Sequence, residues 1–584
     1  MPISRMSSPE ASFENIPATI GPFLARTRIA YFSMEIALRT EMHTYSGGLG
    51  VLAGDTARSA ADLELPAVFV TLVSRKGYLR QEVDAQGRQV EHTDPWDPAA
   101  YATSLRSKVA IPIGAGAREV WIKPWLYILA SPLGHRIPVL LLDTDLPEND
   151  PEDRAITDFL YGGDAEYRLK QEIVLGIGGL RLLQSLGFNI RTYHMNEGHA
   201  SLLALDLLRR YPLAPDQVGP GDVAFDMARV KNACIFTTHT PVEAGHDQFP
   251  YDLVTKLLGH YVDMDQLRLL AGQHSLNMSR LGLRLSGYIN GVAQRHAETA
   301  QNMFPGYRIR AVTNGVHVPT WTHPSFTRLY DQYVPAWAYE PEMMVRADQI
   351  PDEAMWAAHQ DAKHELIRLI AERTGWTMAP DVPLIGFARR MTAYKRPDML
   401  FSDLRRLTRI AQKHPFQIIM AGKAHPRDAP GKALIEAVNT HLRSLGDKIP
   451  GAFLGGYDMT LAKTLIAGVD VWLNNPIPPM EASGTSGMKA AVNGVLNLSV
   501  LDGWWVEACI EGVTGWSIGD DRLGNVNAPG PDDLYDKLEG AVLPIYYDDR
   551  TRWIWMMKQS IGKIAYYFNS QRMMRRYASE AYLI

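Results

Sequence analysis

The chain has 584 residues, more than a single hydrophobic core accommodates, so at least two domains are expected. Its 46% hydrophobic and 21% charged residues are typical of a globular protein and exclude a fibrous or disordered chain. The 59 Lys and Arg residues face 64 Asp and Glu, so charge alone attracts neither nucleic acid nor an anionic membrane, and neither is predicted as a partner.

The N-terminal residues and the cysteines bear on the cell compartment. Residues 1–17 lack the continuous apolar segment of a secretion signal, and no run in the sequence approaches the ~20 apolar residues of a membrane helix. Cys234 and Cys509 each lie in an apolar stretch, which favours buried thiols in a reducing compartment over a disulfide. We therefore expect a cytoplasmic protein that does not insert into the membrane.

The first half of the chain alternates short apolar, β-branched runs with helical patterns. Strands are predicted at residues 66–74, 138–142 and 233–238, and helices at residues 166–183 and 200–210. This alternation predicts an α/β domain with a parallel sheet.

The second half shows the same alternation more regularly. Strands are predicted at residues 383–388, 416–421 and 469–473, with helices at residues 398–412 and 433–445 between them. The order resembles a doubly wound domain of the nucleotide-binding type.

The segments outside these two patterns predict the domain organisation. Residues 333–355, rich in Pro, Ala and Glu, are the predicted crossing between the halves, and a helix is predicted at residues 357–373. Residues 546–584 are predicted as an amphipathic helix that packs back onto the first domain. The predicted division is an N-terminal domain at residues 1–345, a C-terminal domain at residues 346–545 and this C-terminal segment.

Two polar motifs of the first half are candidate site elements. Residues 45–55 form a glycine-rich turn into a helix, which suits either a phosphate contacted by backbone amides or simple tight-turn packing. His194 and His199 follow an apolar run, but they are five residues apart instead of the four of a zinc-binding helix. No metal site is predicted.

A basic cluster follows the predicted strand at residues 383–388. Residues 388–396 read Ala-Arg-Arg-Met-Thr-Ala-Tyr-Lys-Arg and place four cations at the carboxyl end of a strand, where open α/β sheets bind ligands. A solvated charge run that leads into a helix fits the same residues.

The most informative motif is a helix start that is rich in small residues. Residues 481–494 read Glu-Ala-Ser-Gly-Thr-Ser-Gly-Met-Lys-Ala-Ala-Val-Asn-Gly, and the free N–H groups at such a helix start favour a phosphate. Lys489, one turn into the helix, either forms a Schiff base with pyridoxal phosphate or pairs with an anion. A capped helix with an exposed lysine is the structural alternative.

Taken together, these segments resemble the glycogen, starch and maltodextrin phosphorylase family, in its shorter bacterial and archaeal α-glucan phosphorylase branch. The likeness keeps one order along the chain, and the motif around Lys489 is its most specific part. The other matching segments are Tyr31-Phe-Ser-Met-Glu35, Arg168-Leu-Lys-Gln-Glu172, Asn290-Gly-Val-Ala-Gln-Arg-His296, Thr313-Asn-Gly-Val, Tyr457-Asp-Met-Thr-Leu-Ala462 and Leu501-Asp502-Gly503.

The resemblance implies a fold and an activity. The fold is two Rossmann-like α/β domains that face a central cleft, the GT-B glycosyltransferase architecture, with glucan and the glycine loop on the first domain and cofactor and phosphate on the second. The activity is phosphorolysis of the non-reducing-end glucosyl unit of an α-1,4-glucan such as glycogen or maltodextrin. Inorganic phosphate is the acceptor, α-D-glucose 1-phosphate is the product with retained configuration, and pyridoxal 5'-phosphate is the cofactor. A homodimer is expected by analogy alone.

The resemblance also implies roles for individual residues, carried over by position. The residues with a catalytic role are Lys489, Arg390, Lys395, His296 and Glu481. The residues that hold the cofactor are Lys489, Thr485, Ser486, Gly48, Tyr457 and Arg389. The residues that contact the glucosyl unit are Gly47, Leu49, Asn196, His296, Glu481, Ser483 and Gly484.

Some features depart from the family pattern. Arg389 stands where animal members have lysine, which keeps the charge, and Thr392 stands where they have histidine, which removes a polar partner. Because the chain starts almost at the first family motif, we expect a constitutively competent enzyme that AMP does not activate.

Three other functions fit parts of the sequence. A sugar-nucleotide-dependent α-glucan glycosyltransferase would bind its donor diphosphate with Arg390 and Lys395. A glycoside hydrolase would use two carboxylates such as Glu197 and Glu481. A catalytically idle glucan-binding protein is the third alternative.

Overall fold

The structure is a computed structural model that describes residues 19–114, 118–519 and 528–583. The expectations for residues 1–17 and for Ile584 therefore lie outside the described residues. None of the helices in the described ranges is long and apolar enough to cross a membrane.

The strands are labelled in chain order. They are β1 (Ile29–Phe32), β2 (Ala67–Leu72), β3 (Arg80–Val83), β4 (Gln89–His92), β5 (Thr103–Ser104), β6 (Val109–Pro112), β7 (Glu119–Ala130), β8 (Arg136–Asp143), β9 (Thr192–Asn196), β10 (Cys234–Thr237), β11 (Gln248–Pro250), β12 (Ser275–Asn277), β13 (Tyr288–Gly291), β14 (Arg310–Ala311), β15 (Leu384–Ala388), β16 (Gln417–Ala421), β17 (Gly451–Leu454), β18 (Val471–Asn474), β19 (Leu496–Val500) and β20 (Gly515–Ile518).

The α-helices are labelled in the same way. They are α1 (Gly21–Leu24), α2 (Gly48–Asp62), α3 (Pro151–Arg154), α4 (Ala165–Ile173), α5 (Gly179–Ser185), α6 (Leu202–Leu208), α7 (Met227–Lys231), α8 (Tyr251–Leu258), α9 (Met264–Ala271), α10 (Met278–Arg284), α11 (Gln294–Met303), α12 (Val318–Trp321), α13 (Pro324–Tyr333), α14 (Asp352–Thr374), α15 (Leu404–Lys413), α16 (Ala429–Leu445), α17 (Met459–Gly468), α18 (Ser486–Val492), α19 (Trp505–Ala508), α20 (Pro531–Lys537), α21 (Leu543–Asp548), α22 (Arg550–Ser560) and α23 (Ser570–Tyr577).

The first half of the chain builds a mixed sheet in the order β14-β13-β10-β9-β1-β2-β8-β7-β5, with β6 paired to β7. The central strand β1 pairs in parallel with β2 and with β9, and only the β5, β6 and β7 pairings are antiparallel. The interior strand β1 is buried at every position. The centre of the sheet is thus parallel and covered, as the alternating pattern predicts.

The second half builds a parallel sheet in the order β17-β16-β15-β18-β19-β20. The order reverses between β15 and β18, next to which an open α/β sheet leaves a crevice at the carboxyl ends of its strands. Helices such as α16 and α17 connect these parallel strands, because a parallel pair cannot be joined by a tight turn. The predicted fold class, two Rossmann-like α/β halves, is confirmed.

Two predicted helices differ from the structure for a local reason. The helix predicted at residues 398–412 is interrupted, because Asp403 caps α15 by accepting hydrogen bonds from the N–H groups of Arg405 and Arg406. The single helix predicted at residues 546–584 is likewise divided, and Asn569 caps the separate helix α23. In both cases a short polar side chain ends one helical pattern and starts another.

At the predicted crossing between the halves, several side chains pack into the core of the second sheet. Buried side chains from Val316 to Ile350, including those of α12 and α13, join the hydrophobic core that contains β15 and β16. The domain boundary at residues 345/346 remains a prediction. The helix predicted at residues 357–373 corresponds to α14, which starts five residues earlier, at Asp352.

The C-terminal residues contact the first half of the chain. Ser570 Oγ lies 2.6 Å from Ser59 Oγ in α2, and Gln571 donates a hydrogen bond to Asp62 in the same helix. Tyr582 Oη lies 2.7 Å from Nδ1 of His194 in β9. The described C-terminal residues therefore pack against the first half of the chain.

Candidate active site

The segments that follow the strands of both sheets line one cleft with a volume of about 790 Å³. Among the described residues that line it, seven basic side chains face five carboxylates, so basic groups outnumber acidic ones. The cations are Arg168, Arg389, Arg390, Lys395, Lys423, Arg427 and Lys489, and the carboxylates are Glu35, Glu197, Asp247, Asp458 and Glu481. Such a cleft suits a ligand that is anionic at one end and polar at the other.

Most of the site residues assigned from the sequence come together in this cleft. Asn196 and His296 do not line it but lie directly behind residues that do. The assigned residues that do line the cleft are Gly47, Gly48, Leu49, Arg389, Arg390, Lys395, Tyr457, Glu481, Ser483, Gly484, Thr485, Ser486 and Lys489.

Lys489 is a buried amine on α18. It lies at the middle of that helix, only 7% exposed, and its Nζ stands 4.0 Å from the centroid of the Trp321 ring. Burial lowers the pKa of Lys489 to about 8. The structural alternative, an exposed lysine on a capped helix, is therefore wrong, because this amine faces the cleft and has appreciable neutral character near physiological pH.

The basic cluster after β15 is also buried. Arg389 donates a hydrogen bond of 2.6 Å to Glu481, and Lys395 donates to the same carboxylate oxygen. Burial opposes the charge on Glu481, but Arg389 and Lys395 hold its pKa well below the usual range. The alternative of a solvated charge run is wrong for these two cations.

The cations retain capacity for an additional anion. Arg389 Nε is buried with no hydrogen-bond partner among the described residues. Arg390 approaches the glycine-rich turn so closely that a Cβ on Gly47 would lie 3.3 Å from its Nη2. Because an unpaired buried donor is costly, the site fits a bound anion.

The carboxylate of Glu35 holds the glycine-rich turn against the cleft. Its Oε2 accepts hydrogen bonds from the N–H of Ser46 at 2.6 Å and of Gly47 at 3.1 Å. Its Oε1 accepts the hydroxyl of Tyr161 at 2.9 Å. The 15-residue helix α2 then begins at Gly48, with its N-terminus at the cleft. Glu35 lies in a motif that carried the family resemblance, but no role was assigned to it from the sequence.

The other wall of the cleft consists of amide and imidazole groups. Asn196 Oδ1 lies 2.6 Å from Nε2 of His239, and His239 faces the cleft. His296 Nδ1 accepts the N–H of Val292, while its Nε2 is buried without a partner among the described residues. Burial lowers the pKa of His296 to about 4, so it is neutral near pH 7. Asn314, which sequence reasoning left without a role, lines the cleft with its buried Oδ1 likewise unpaired in the described structure.

The two carboxylates considered for a hydrolase are not arranged for that reaction. Glu481 is held ionised by its two cations, so it is a poor general acid. Glu197 accepts hydrogen bonds from the N–H of His239 and the hydroxyl of Thr240. Both carboxylates are occupied in positioning loops, and the hydrolase alternative loses its support.

The histidines considered for a metal have separate partners. His194 lies between the hydroxyls of Tyr582 and Thr237, and His199 lies 3.4 Å from Asp247. Their side chains are thus used in separate contacts.

Two doubly wound halves that face a cation-lined cleft define an enzyme with GT-B glycosyltransferase architecture. A family model described as carbohydrate phosphorylase matches residues 247–514. The chain is similar to the maltodextrin phosphorylase of Thermococcus litoralis, with 38% identity over 95% of this chain and 70% of that protein. It is also similar to the glycogen phosphorylases of Mycobacterium tuberculosis, with 36% identity over 95% of this chain and 71% of the relative, and of Aquifex aeolicus, with 34% identity over 95% and 86%.

The chain belongs to the carbohydrate phosphorylase family. The identification made from the sequence motifs is thereby confirmed, as is the prediction of a glycosyltransferase of the phosphorylase type.

Proposed function

We propose that the chain catalyses phosphorolysis of an α-1,4-glucan such as glycogen or maltodextrin, with inorganic phosphate as acceptor and α-D-glucose 1-phosphate as product. The printed names of its relatives, maltodextrin phosphorylase and glycogen phosphorylase, support this activity. The observation that carries the proposal is the buried amine of Lys489 in a cleft lined with cations.

The residues present fit pyridoxal 5'-phosphate. The buried Lys489 amine, with its pKa lowered to about 8 by burial, suits attachment of an aldehyde. The unpaired Nε of Arg389 suits a phosphate group. Thr485, Ser486, Gly48, Tyr457 and Arg389 would hold that phosphate. When bound, the cofactor supplies a phosphate group that exchanges a proton with the substrate phosphate.

Arg390 and Lys395 are proposed to bind the substrate phosphate. Both line the cleft on the segment after β15, and Lys395 already shares Glu481 with Arg389. An entering phosphate would compete with that carboxylate for the cations, and the cations would offset part of the negative charge that the phosphate brings. The configuration at the anomeric carbon is retained if the phosphate is held on the same face of the sugar from which the leaving oxygen departs.

The glucosyl unit is proposed to bind beside the small-residue segment that precedes α18. Glu481, Ser483 and Gly484 come from that segment, and Asp502 fixes it by accepting the N–H of Glu481 at 2.8 Å. From the first half of the chain, Gly47, Leu49, Asn196 and His296 complete the proposed set. The neutral His296 is a hydrogen-bonding group here and not a cation.

Purified protein incubated with maltodextrin and orthophosphate tests the proposal. We expect α-D-glucose 1-phosphate as the product, and absorbance of bound pyridoxal phosphate that borohydride changes, with the modified peptide containing Lys489. Lys489→Ala should lose both properties, whereas Lys448→Ala, a change of an exposed lysine, should keep them. Release of free glucose without phosphate would favour a hydrolase, and transfer from ADP-glucose or UDP-glucose without phosphate would favour a sugar-nucleotide transferase. Bound cofactor without turnover would support the idle glucan-binding protein.

Two further properties are proposed. A cytoplasmic location is proposed because Cys234 and Cys509, both in the described part of the chain, are free thiols. A homodimer is proposed by analogy with the family.

A further inference from the structure

A hairpin of the first half of the chain reaches across to the second sheet. It consists of β3 and β4, whose side chains alternate between an exposed face and a face buried against the second half. Gln81 and Gln89 lie on the buried face and are only 4% and 7% exposed. Because buried amides are costly unless all their groups are bonded, their partners show what the hairpin holds.

The two glutamines bind the backbone of two loops. Gln81 donates a hydrogen bond of 2.8 Å to the carbonyl of Gly422 and accepts one of 3.0 Å from the N–H of Gly456. Gln89 donates to the carbonyl of Ala424 and accepts from its N–H, both at 3.0 Å. Gln81 also donates to Gln89 at 2.9 Å, so the pair acts as one unit.

These loops carry groups of the cleft. The loop after β16 contains Lys423, whose carbonyl accepts the N–H of Met391 at 2.9 Å, next to Arg390. Lys423 itself lines the cleft and donates to the carbonyl of Leu79, just before the hairpin. The loop after β17 contains Gly456, which precedes Tyr457 of the cleft. The loop that the glutamines bind is therefore joined by one backbone hydrogen bond to the segment that carries Arg390, on the cationic side of the site.

We propose that Gln81 and Gln89 are positioning residues for phosphate, holding from the first half of the chain the loops that orient Arg390, Lys423 and Tyr457. The proposal rests on the proposed function for its choice of ligand. The proposal also explains why two amide side chains, with their groups hydrogen-bonded, occupy this place. Apolar side chains would have been enough to pack the hairpin there.

Gln81→Met and Gln89→Met, made in the holoenzyme, remove the hydrogen bonds at nearly constant volume. We expect the KM for inorganic phosphate to rise about tenfold in each, because each variant removes the hydrogen bonds that the glutamine makes to the loop backbone. The KM for maltodextrin should change less than about twofold, because the sugar-binding segment before α18 is not touched. Gln86→Met is the matched control, since Gln86 is an exposed glutamine in the turn of the same hairpin, and it should leave both KM values unchanged.

Equal changes in both KM values together with a lowered Tm would mean that the glutamines only stabilise the fold, and the proposal would fall. Unchanged phosphate KM in both variants would overturn it as well. If the unmodified chain showed no phosphorolysis, the proposed function would fail. Calorimetric titration of the holoprotein with inorganic phosphate would then still decide, since weaker binding in the two variants than in Gln86→Met supports positioning and equal binding refutes it.

Discussion

At the scale of single residues, the site depends on charged groups that are held out of water. Lys489 is a buried amine against the Trp321 ring, and Glu481 is a buried carboxylate shared by Arg389 and Lys395. Burial destabilises the charged form of each group, so the reactivity of the amine and the ion pairing of the carboxylate depend strongly on protonation.

The pKa of Lys489 predicts how fast the apoprotein takes up its cofactor. Only the neutral amine attacks an aldehyde, and burial lowers the pKa of this amine to about 8. The rate of pyridoxal phosphate uptake, followed by absorbance, should therefore rise about tenfold per pH unit below pH 8 and level off above it. A rate that keeps rising to pH 10 would show an amine with an ordinary pKa.

Glu35 is expected to be the main support of the glycine-rich turn. Glu35→Met leaves the N–H groups of Ser46 and Gly47 without their acceptor, and we expect a loss of about 3 kcal/mol in the free energy of unfolding. Glu35→Gln keeps one acceptor and should lose less. Glu41→Met, at an exposed glutamate, is the control and should cost under about 1 kcal/mol. Denaturant midpoints measure all three, and equal values for Glu35→Met and Glu41→Met would contradict this role.

At the scale of elements, α2 is fixed by close backbone contact as well as by its first turn. Gly54 in this helix faces the carbonyl of Ala37, in the segment between β1 and the glycine-rich turn, and a Cβ there would overlap that oxygen. The helix and the segment it follows are thus in contact with no room for a side chain.

Gly54→Ala should therefore destabilise the protein although alanine favours helix formation. We expect a loss of about 2 kcal/mol from overpacking, together with weaker cofactor binding because α2 begins at Gly48. The matched control is Gly540→Ala, at an exposed helical glycine whose added Cβ would meet nothing within 4 Å. That variant should be neutral or up to about 1 kcal/mol more stable. Thermal unfolding compares the two, and similar Tm values would contradict the close contact.

At the scale of the whole molecule, the two halves are joined by polar contacts between distant parts of the sequence. The hairpin of β3 and β4 binds the second sheet, and α23 returns to α2. The protein also contains several buried histidines, and their protonation couples the stability of the molecule to pH.

As the pH is lowered, the folded protein should begin to lose stability at pH values above those at which ordinary carboxylates titrate. Burial lowers the pKa of His194, His199 and His239 to about 3 and that of His296 to about 4. Between these values and about 6.5 the unfolded chain binds more protons than the folded one, so stability falls as pH decreases, by up to about 1.4 kcal/mol per pH unit for each histidine.

Buried carboxyl groups oppose this trend. Burial raises the pKa of Asp502 to about 6 and that of Glu172 well above its usual range, so the folded state takes up these protons first and offsets part of the effect of the histidines. The urea midpoint should still fall clearly from pH 7 to pH 5. A midpoint that stays constant over this range would show that the histidines are not held neutral by the fold.

The sequence by itself determined the α/β alternation, the strands near residues 383–388 and 416–421, and the placement of Lys489 after a run of small residues. These features depend on side-chain periodicity and on neighbours within a few positions, which a single chain displays directly. Tertiary structure decided that Asn196 and His296 stand behind the cleft wall, that Glu35 holds the glycine-rich turn, and that Gln81 binds Gly422, 341 residues away. Such contacts form only when distant segments fold against each other, because the buried polar groups of one segment must then find their hydrogen-bond partners in the other.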